Sequence, residues 1–326
     1  MSQLHIDIRN GASGACPRCE SDAYLTLFQA PDRFDTAKGR RFHVIECSRC
    51  ALIRLDPMPD AEEIASFYPP SYWWESDHSA AGRLAEMYRR LVLLDHVHFV
   101  THNIDRSGPI LDVGCGGGSL VDALRRRGLK AYGLDPSGIA AGCAKSNYGL
   151  TVTQGTLPDA PFAAGTFSTI TLCHVLEHVR NPMPMLEELA WLLKPGGKLF
   201  VQVPNAACWQ FLLLGKRWSG LDVPRHLVHF RSIDLEDLLE ATGFEIRRRK
   251  FFSLRDNPAG LATSIWPALD PAVRRMRGVR ENASLRILKD LSYLALTFAA
   301  APFTLLEAAG AAGSTVMIEA VHRGGA

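Results

Sequence analysis

The chain has 326 residues, 47% of them hydrophobic and 21% charged, with a net charge of +2. That supplies a substantial apolar core for one domain of ordinary size plus appendages. Nothing in the overall charge points to nucleic acid, and the basic runs 125–127 and 247–250 read as solvated element ends. The first residues alternate in charge and lack an apolar core, so no secretory signal is expected and the cytoplasm is the expected compartment.

Eight cysteines fall into two groups. Cys16 and Cys19, in Cys-Pro-Arg-Cys, and Cys47 and Cys50, in Cys-Ser-Arg-Cys, form two Cys-x-x-Cys knuckles. In a reducing compartment such a pair supplies four thiolates to one tetrahedral Zn²⁺, a zinc ribbon. With no open coordination position the metal is structural, and it staples a segment of about 50 residues that is too small to hold itself together. Cys115, Cys143, Cys173 and Cys208 are scattered and read as core thiols.

After the ribbon, a helix is expected over 60–67, ending at Pro69 and Pro70 and passing the chain on in extended form. Leu84, Met87, Tyr88, Leu91 and Leu94 then recur at helical spacing. They predict a helix over 80–103 lying on a sheet, with His96, His98 and His102 solvent-facing or capping.

The stretch LDVGCGGGSL, 111–120, organises the rest. The aliphatic Ile110, Leu111 and Val113, around Asp112, break into a glycine-rich turn, and helical periodicity follows from Ser119 with Leu120, Val121 and Leu124. The pattern is strand, tight turn, helix start, with glycine where a β-carbon would block the backbone angles or the close approach of a ligand. No lysine follows Gly118, so this is not a P-loop; Ser119 stands where a dinucleotide fingerprint needs its last glycine. A second strand, 130–134, ends in Asp135 of GLDPS.

With these landmarks, and with FSTITLCHVLEHV at 167–179 and LLKPGGKLFVQVPN at 192–205, the chain resembles the class I S-adenosylmethionine-dependent methyltransferases over about residues 105–255. The resemblance implies an α/β fold: a doubly wound, Rossmann-like sheet, here with an N-terminal zinc ribbon and a helical insertion before the last strand. It divides the chain into a ribbon (1–58), a lid segment and linking helix (59–104) and a methyltransferase domain (105–326) with insertions at about 206–232 and 255–313. The cofactor implied is S-adenosyl-L-methionine, held by Asp112, Gly114, Cys115, Gly116, Gly118, Asp135, Pro136, Thr156, Leu157 and Cys173. Asp135 would take both ribose hydroxyls. Relatives carry an acid after the third strand, here 150–153, to receive the adenine amino group; this chain has none near Gly155, so the backbone of Thr156 and Leu157 is expected to serve. Ser168 replaces an aspartate usual in relatives.

Relatives of small-molecule type place a tyrosine-rich lid where this chain has ASFYPPSYWWES, 65–76, which makes Tyr72 a candidate contact. In relatives the segment after the fourth strand closes the active site, which would bring His174 near the methyl group and let His178 pack the next helix start. Glu177 does not complete a metalloprotease spacing with them. The segment 208–232, ahead of a helix at 233–242, combines aromatic, basic and histidine residues where substrate loops sit, so Arg225, His226 and His229 are candidates for substrate binding and proton removal. Its PRHLVHF phrase is similar to that of small-molecule methyltransferases that also carry zinc ribbons. Residues 244–254 and 315–322 correspond to the family's closing antiparallel strands. Between them, 291–313 is apolar and interrupted by Pro302. Two hydrophobic helices forming a cap, a homo-oligomer contact, shallow membrane contact or a lipophilic substrate would each account for it.

The first expectation is therefore in-line methyl transfer to a small-molecule acceptor (sugar, polyketide-like or lipid-linked), with His226, His229, His174 or Tyr72 as base. An RNA methyltransferase gripping nucleic acid through the ribbon, and a non-catalytic cofactor-binding scaffold, are the alternatives.

Overall fold

The computed structural model describes residues 8–9, 14–34, 40–68, 72 and 80–324. Of the tyrosine-rich stretch, Tyr68 and Tyr72 fall among them, whereas 69–71 and 73–76 lie outside.

Strands β1 (Ile8–Arg9), β2 (Tyr24–Pro31), β3 (Arg41–Cys47) and β4 (Ile53–Asp56) form an antiparallel sheet at the N-terminus. Helices α1 (Ala61–Ser66) and α2 (Ala80–Thr101) lead out of it. Asp60 caps α1 by accepting from the amide of Glu63 at 2.8 Å. A βα alternation follows: β5 (Ile110–Val113), α3 (Ser119–Arg125), β6 (Ala131–Asp135), α4 (Gly138–Tyr148), β7 (Thr153–Gln154), β8 (Phe167–Cys173), α5 (Pro182–Leu192) and β9 (Leu193–Pro204). Beyond it come α6 (Trp209–Leu214), β10 (Val228–His229), α7 (Ser232–Ala241), β11 (Phe244–Lys250), α8 (Asn257–Ile265), α9 (Pro271–Met276), α10 (Ala283–Ala309) and β12 (Thr315–His322).

The second sheet runs β11-β12-β9-β8-β5-β6-β7, with β5 to β9 parallel and β12 antiparallel to both its neighbours. This is the doubly wound sheet expected. All four residues of β5 are buried, as a central parallel strand covered by helices on both faces requires. Strand order reverses between β5 and β8, so their carboxyl ends open the crevice where such sheets bind ligands.

The ribbon sheet takes its fifth strand, β10, from the substrate-loop insertion, pairing Val228 with Arg54 and His229 with Ile53. Arg18 reaches across to Asp234 and Asp237 on α7. Arg231 donates to the carbonyl of Ala51.

Three expectations are corrected. The spacing of Met87, Tyr88, Leu91 and Leu94 marks an exposed side of α2, while Leu93, Val97 and Val100 form its buried side. His96 goes inward with them, because the carboxylates of Asp95 and Asp256 compensate its buried imidazole. The third strand is only β7: Gly149 closes α4 in the left-handed conformation (φ +67°), and Leu150 turns in to pack beside Gly118. Where a cap over 291–313 was expected as two hydrophobic helices, the stretch up to Ala309 belongs to the single continuous helix α10. Pro302 lies on its exposed side, so the carbonyl freed four residues back faces solvent rather than core.

Candidate active site

The glycine turn is built by close approach. Gly114 has φ +68°, and a β-carbon there would stand 2.3 Å from Val175 Cγ2. Gly116 (φ +52°) presents its amide to Asp135 Oδ2 at 2.8 Å, and Ser137 presents its own to Asp135 Oδ1 at 2.9 Å. Two backbone donors thus fix the Asp135 carboxylate while each oxygen keeps a further lone pair for another donor. Burial raises the Asp135 carboxyl above its ordinary value, and these two amides offset only part of that rise. Asp112, beneath the turn, accepts from Thr171 Oγ1 at 2.6 Å. Burial lifts its carboxyl to about 7, so it acts as a buried fastener of β5 to β8.

The turn opens onto a cavity of about 1770 Å³. That exceeds the roughly 300–1,000 Å³ of a pocket for one small ligand and leaves room for a donor and an acceptor side by side. One half is walled by the turn, Asp135, Pro136, Thr156, Leu157 and Cys173. The other is walled by Tyr68, Tyr72, His174, His178, His226 and Asp256.

The second half is dense in titratable groups. His174 sits with φ +56°, a left-handed conformation unfavourable to histidine, and its amide is tied to the Gln202 carbonyl at 2.9 Å. Its ring lies between Glu177 Oε1 (3.1 Å) and Asp256 Oδ2 (3.4 Å). Burial opposes its charge, but Asp256 and Glu177 outweigh burial and raise it to about 9. Glu177 is buried as well, yet His174, His178 and His226 hold it down at about 2. His226 is placed differently. Its Nδ1 donates to the Gly220 carbonyl at 2.8 Å, which leaves Nε2 as an unprotonated acceptor, 3.9 Å from Glu177 Oε1 and 4.0 Å from Asp222 Oδ2. Burial and the neighbouring His178 lower its value to about 4. The His178 ring meets the His226 ring edge-on, with centroids 4.7 Å apart, and its Nδ1 lies 2.9 Å from both the Arg225 carbonyl and Tyr68 Oη. Ligand atoms of Glu177, His178 and His226 fall within 4.8 Å of one another, a spacing one divalent cation would accept.

At the other end, the four knuckle sulfurs lie within 4.8 Å of one another, with Cys16 to Cys50 and Cys19 to Cys47 both 3.5 Å. Tetrahedral zinc with bonds of about 2.3 Å sets sulfurs about 3.8 Å apart, so the cluster fits it. Burial raises the Cys47 thiol, but the amides of Cys50 and Arg49 outweigh it and bring it to about 7.

A family model described as a methyltransferase domain matches residues 84–248. The chain belongs to the class I S-adenosylmethionine-dependent methyltransferases. It is 31% identical over 229 residues to the ubiquinone biosynthesis O-methyltransferase of Cronobacter sakazakii, covering 65% of this chain and 90% of that one. It is 29% identical to the enzyme of the same name from Pectobacterium carotovorum, covering 66% and 92%. A solved S-adenosylmethionine-dependent methyltransferase from Thermotoga maritima aligns with a TM-score of 0.46 and 17% identity, covering 73% of this chain and 91% of that one.

In this methyltransferase the cofactor is S-adenosyl-L-methionine, and the turn, Asp135, Pro136, Thr156, Leu157 and Cys173 wall the half of the cavity that would receive it. Gly118 stands behind, as the left-handed N-cap of α3. His174, His226 and Tyr72 share the other half, where Tyr72 packs edge-on against Tyr68 at 4.9 Å. His229 is buried in β10 away from the cavity wall, and burial drives its value down to about 3. Arg225 is also buried, held by Asp222 at 2.9 Å and stacked over Phe34 at 4.1 Å. It therefore shapes the loop from beneath. Asp256, Asp222, Tyr68 and His96 escape sequence reading, because they come from segments far apart in the chain with no shared spacing. Glu177 carried a signal, its place between two histidines just after the fourth strand.

Replacing Asp135 with alanine removes the acceptor proposed for both ribose hydroxyls. With about 1.5–3 kcal/mol for each bond to a charged group, affinity for S-adenosylhomocysteine is expected to fall on the order of a hundredfold or more. Calorimetry beside a melting curve checks this; unchanged affinity in a folded variant would remove Asp135 from the cofactor site.

Proposed function

We propose that the chain methylates a hydroxyl of a small acceptor seated between Tyr68, Tyr72, His174 and His226, with His226 Nε2 receiving the hydroxyl proton. The observation that carries this reading is the state of His226: neutral, its tautomer set by the Gly220 carbonyl, its free nitrogen facing the cavity with two carboxylates at about 4 Å. Those carboxylates would stabilise the imidazolium as it forms. Methyl transfer from a sulfonium is an in-line displacement, so the remaining work is alignment of oxygen, methyl and sulfur on one axis. Relatives named as O-methyltransferases support oxygen as the nucleophile. Four zinc-ligating thiols suit a reducing compartment, which supports the cytoplasm.

The RNA reading has less support. Of the ribbon's arginines, Arg18 is engaged by Asp234 and Asp237, Arg33 by the Ser219 carbonyl and Arg40 by Glu63. With these three engaged, the exposed Arg41 and Arg49 make only a short track for phosphates.

The pH profile tests the assignment. His226, depressed to about 4, is a proton acceptor at every pH above that value. His174, raised to about 9, keeps its proton below that pH and loses it above, leaving Glu177 and Asp256 uncompensated beneath the acceptor. kcat/KM is expected to be level through neutrality, with an acid limb near 4 and an alkaline limb near 9. A single limb near the ordinary histidine value of about 6.5 would contradict it.

A further inference from the structure

Helix α10 is amphipathic the wrong way round for a helix in water. Its inward side carries Thr297, Thr304 and Glu307, all buried, with Glu307 accepting from the backbone and side-chain amides of Gln210 at 2.9 and 2.8 Å. Its outward side from 291 to 309 carries Leu291, Leu294, Phe298, Pro302, Leu305 and Leu306, and no charge. Phe298 is 69% exposed and Leu306 65%. Beside it, joined through the Trp209 and Phe303 rings at 6.1 Å, α6 offers Leu212 and Leu213, 75% and 72% exposed. Apolar surface of this extent, continuous along two helices, marks an interaction site.

The charge around the patch decides what covers it. From 254 to 313 the exposed charged residues are Arg255, Arg275, Arg277, Arg280 and Arg286, of which Arg255 and Arg275 also line the cavity; the one acid with a substantially exposed side chain, Asp290 at 45%, is held by Arg274. The other acids of this segment are buried or engaged: Glu281 holds Arg274, Asp270 faces Arg33, and Asp256 faces the histidines and Arg255. Lys216 and Arg217, both exposed, follow the α6 leucines directly. A second copy related by a twofold axis would set this cationic rim against itself. Anionic lipid headgroups meet it with opposite charge, and the acyl boundary takes the leucines and Phe298.

We propose that the outward face of α10, with the tip of α6, seats this methyltransferase on an anionic membrane surface. The helix lies in the plane of the surface and does not span it. Arg274 of α9 ties its first turns to the domain, and its end leads straight into β12 within the sheet. Tyr293 of α10 and Thr263 of α8 also line the cavity, so the helix that bears the seat also walls the site. A lipophilic acceptor entering from there is the part of the inference that rests on the methyl-transfer reading above; the seat itself rests on the surface alone.

Sedimentation of the full chain with vesicles tests it, using phosphatidylcholine alone and phosphatidylcholine mixed with phosphatidylglycerol. The wild type is expected to pellet with the anionic vesicles, and added salt is expected to weaken the binding. A Phe298→Ser, Leu305→Ser, Leu306→Ser variant should remain in the supernatant with unchanged melting temperature and unchanged S-adenosylhomocysteine affinity. A wild type that ignores both vesicles, or a triple variant that pellets equally, would overturn the seat. So would a wild-type dimer that the triple substitution converts to monomer without any vesicle binding, since a second copy would then cover the face. Cofactor binding measured in the same samples separates the two readings: its absence from the wild type would count against methyl transfer and leave the seat to the vesicle result.

Discussion

Cys47→Ser is expected to release the zinc, melt the N-terminal sheet and abolish most of the methyl transfer, although none of the four cysteines walls the cavity. The coupling runs through β10, the ribbon sheet's fifth strand, whose first residue, Val228, lies two positions after His226. The amide of Leu55 in β4 bonds the Leu227 carbonyl at 2.9 Å, and the amide of Leu227 bonds the Glu177 carbonyl at 2.7 Å. A single backbone step therefore links the ribbon to both the proposed base and its carboxylate. Structural zinc contributes folding free energy of about 10–16 kcal/mol in small modules, more than a sheet of this size otherwise holds. Loss of the metal should thus unfold the ribbon and free the loop that carries His226. Metal analysis, kcat and cofactor calorimetry on the variant check this together. Cofactor affinity is expected to survive, because the glycine turn and Asp135 belong to the other sheet. A zinc-free variant with undiminished kcat would contradict the coupling, and a metal-free wild type would remove the ribbon's zinc.

His226→Asn carries the second large effect. Asparagine can still donate to the Gly220 carbonyl but offers no basic nitrogen to the cavity. General-base catalysis contributes about 10²–10⁴ in rate, so kcat is expected to fall by that order with cofactor affinity unchanged. The Nε2 of His226 faces Glu177 and Asp222 across about 4 Å, and no other neutral imidazole in the acceptor half is placed between two carboxylates with its acceptor nitrogen unengaged among the described residues. An unchanged kcat would leave the acceptor proton to solvent or to Tyr72.

Much of the fold was legible because it is written in local patterns. The glycine turn needs positive φ at Gly114, Gly116 and Gly118, and the sequence advertises that need directly. The Cys-x-x-Cys pairs announce themselves by spacing, and Asp135 stands at a strand end fixed by pattern. Helix facing was less legible: the apolar spacing on α2 marked an exposed side, and α10 hides its polar residues, so periodicity pointed outward in both. The acceptor half of the cavity was legible only in part. His174, His226 and Tyr72 stood out as residue types in suggestive places, but their roles depend on Glu177, Asp222 and Asp256, whose partnership exists only after folding. His229 and Arg225 looked equivalent to His226 in the phrase PRHLVHF. A strand and a buried ion pair separate them from it.

The most direct test of the central claim is a calorimetric titration of the wild-type chain with S-adenosylhomocysteine. One site per chain with micromolar affinity is the result expected from the glycine turn, the Asp135 carboxylate and the cavity half they wall. Absence of binding to folded, zinc-loaded protein would contradict the account at its root, because no methyl transfer could then proceed from this site.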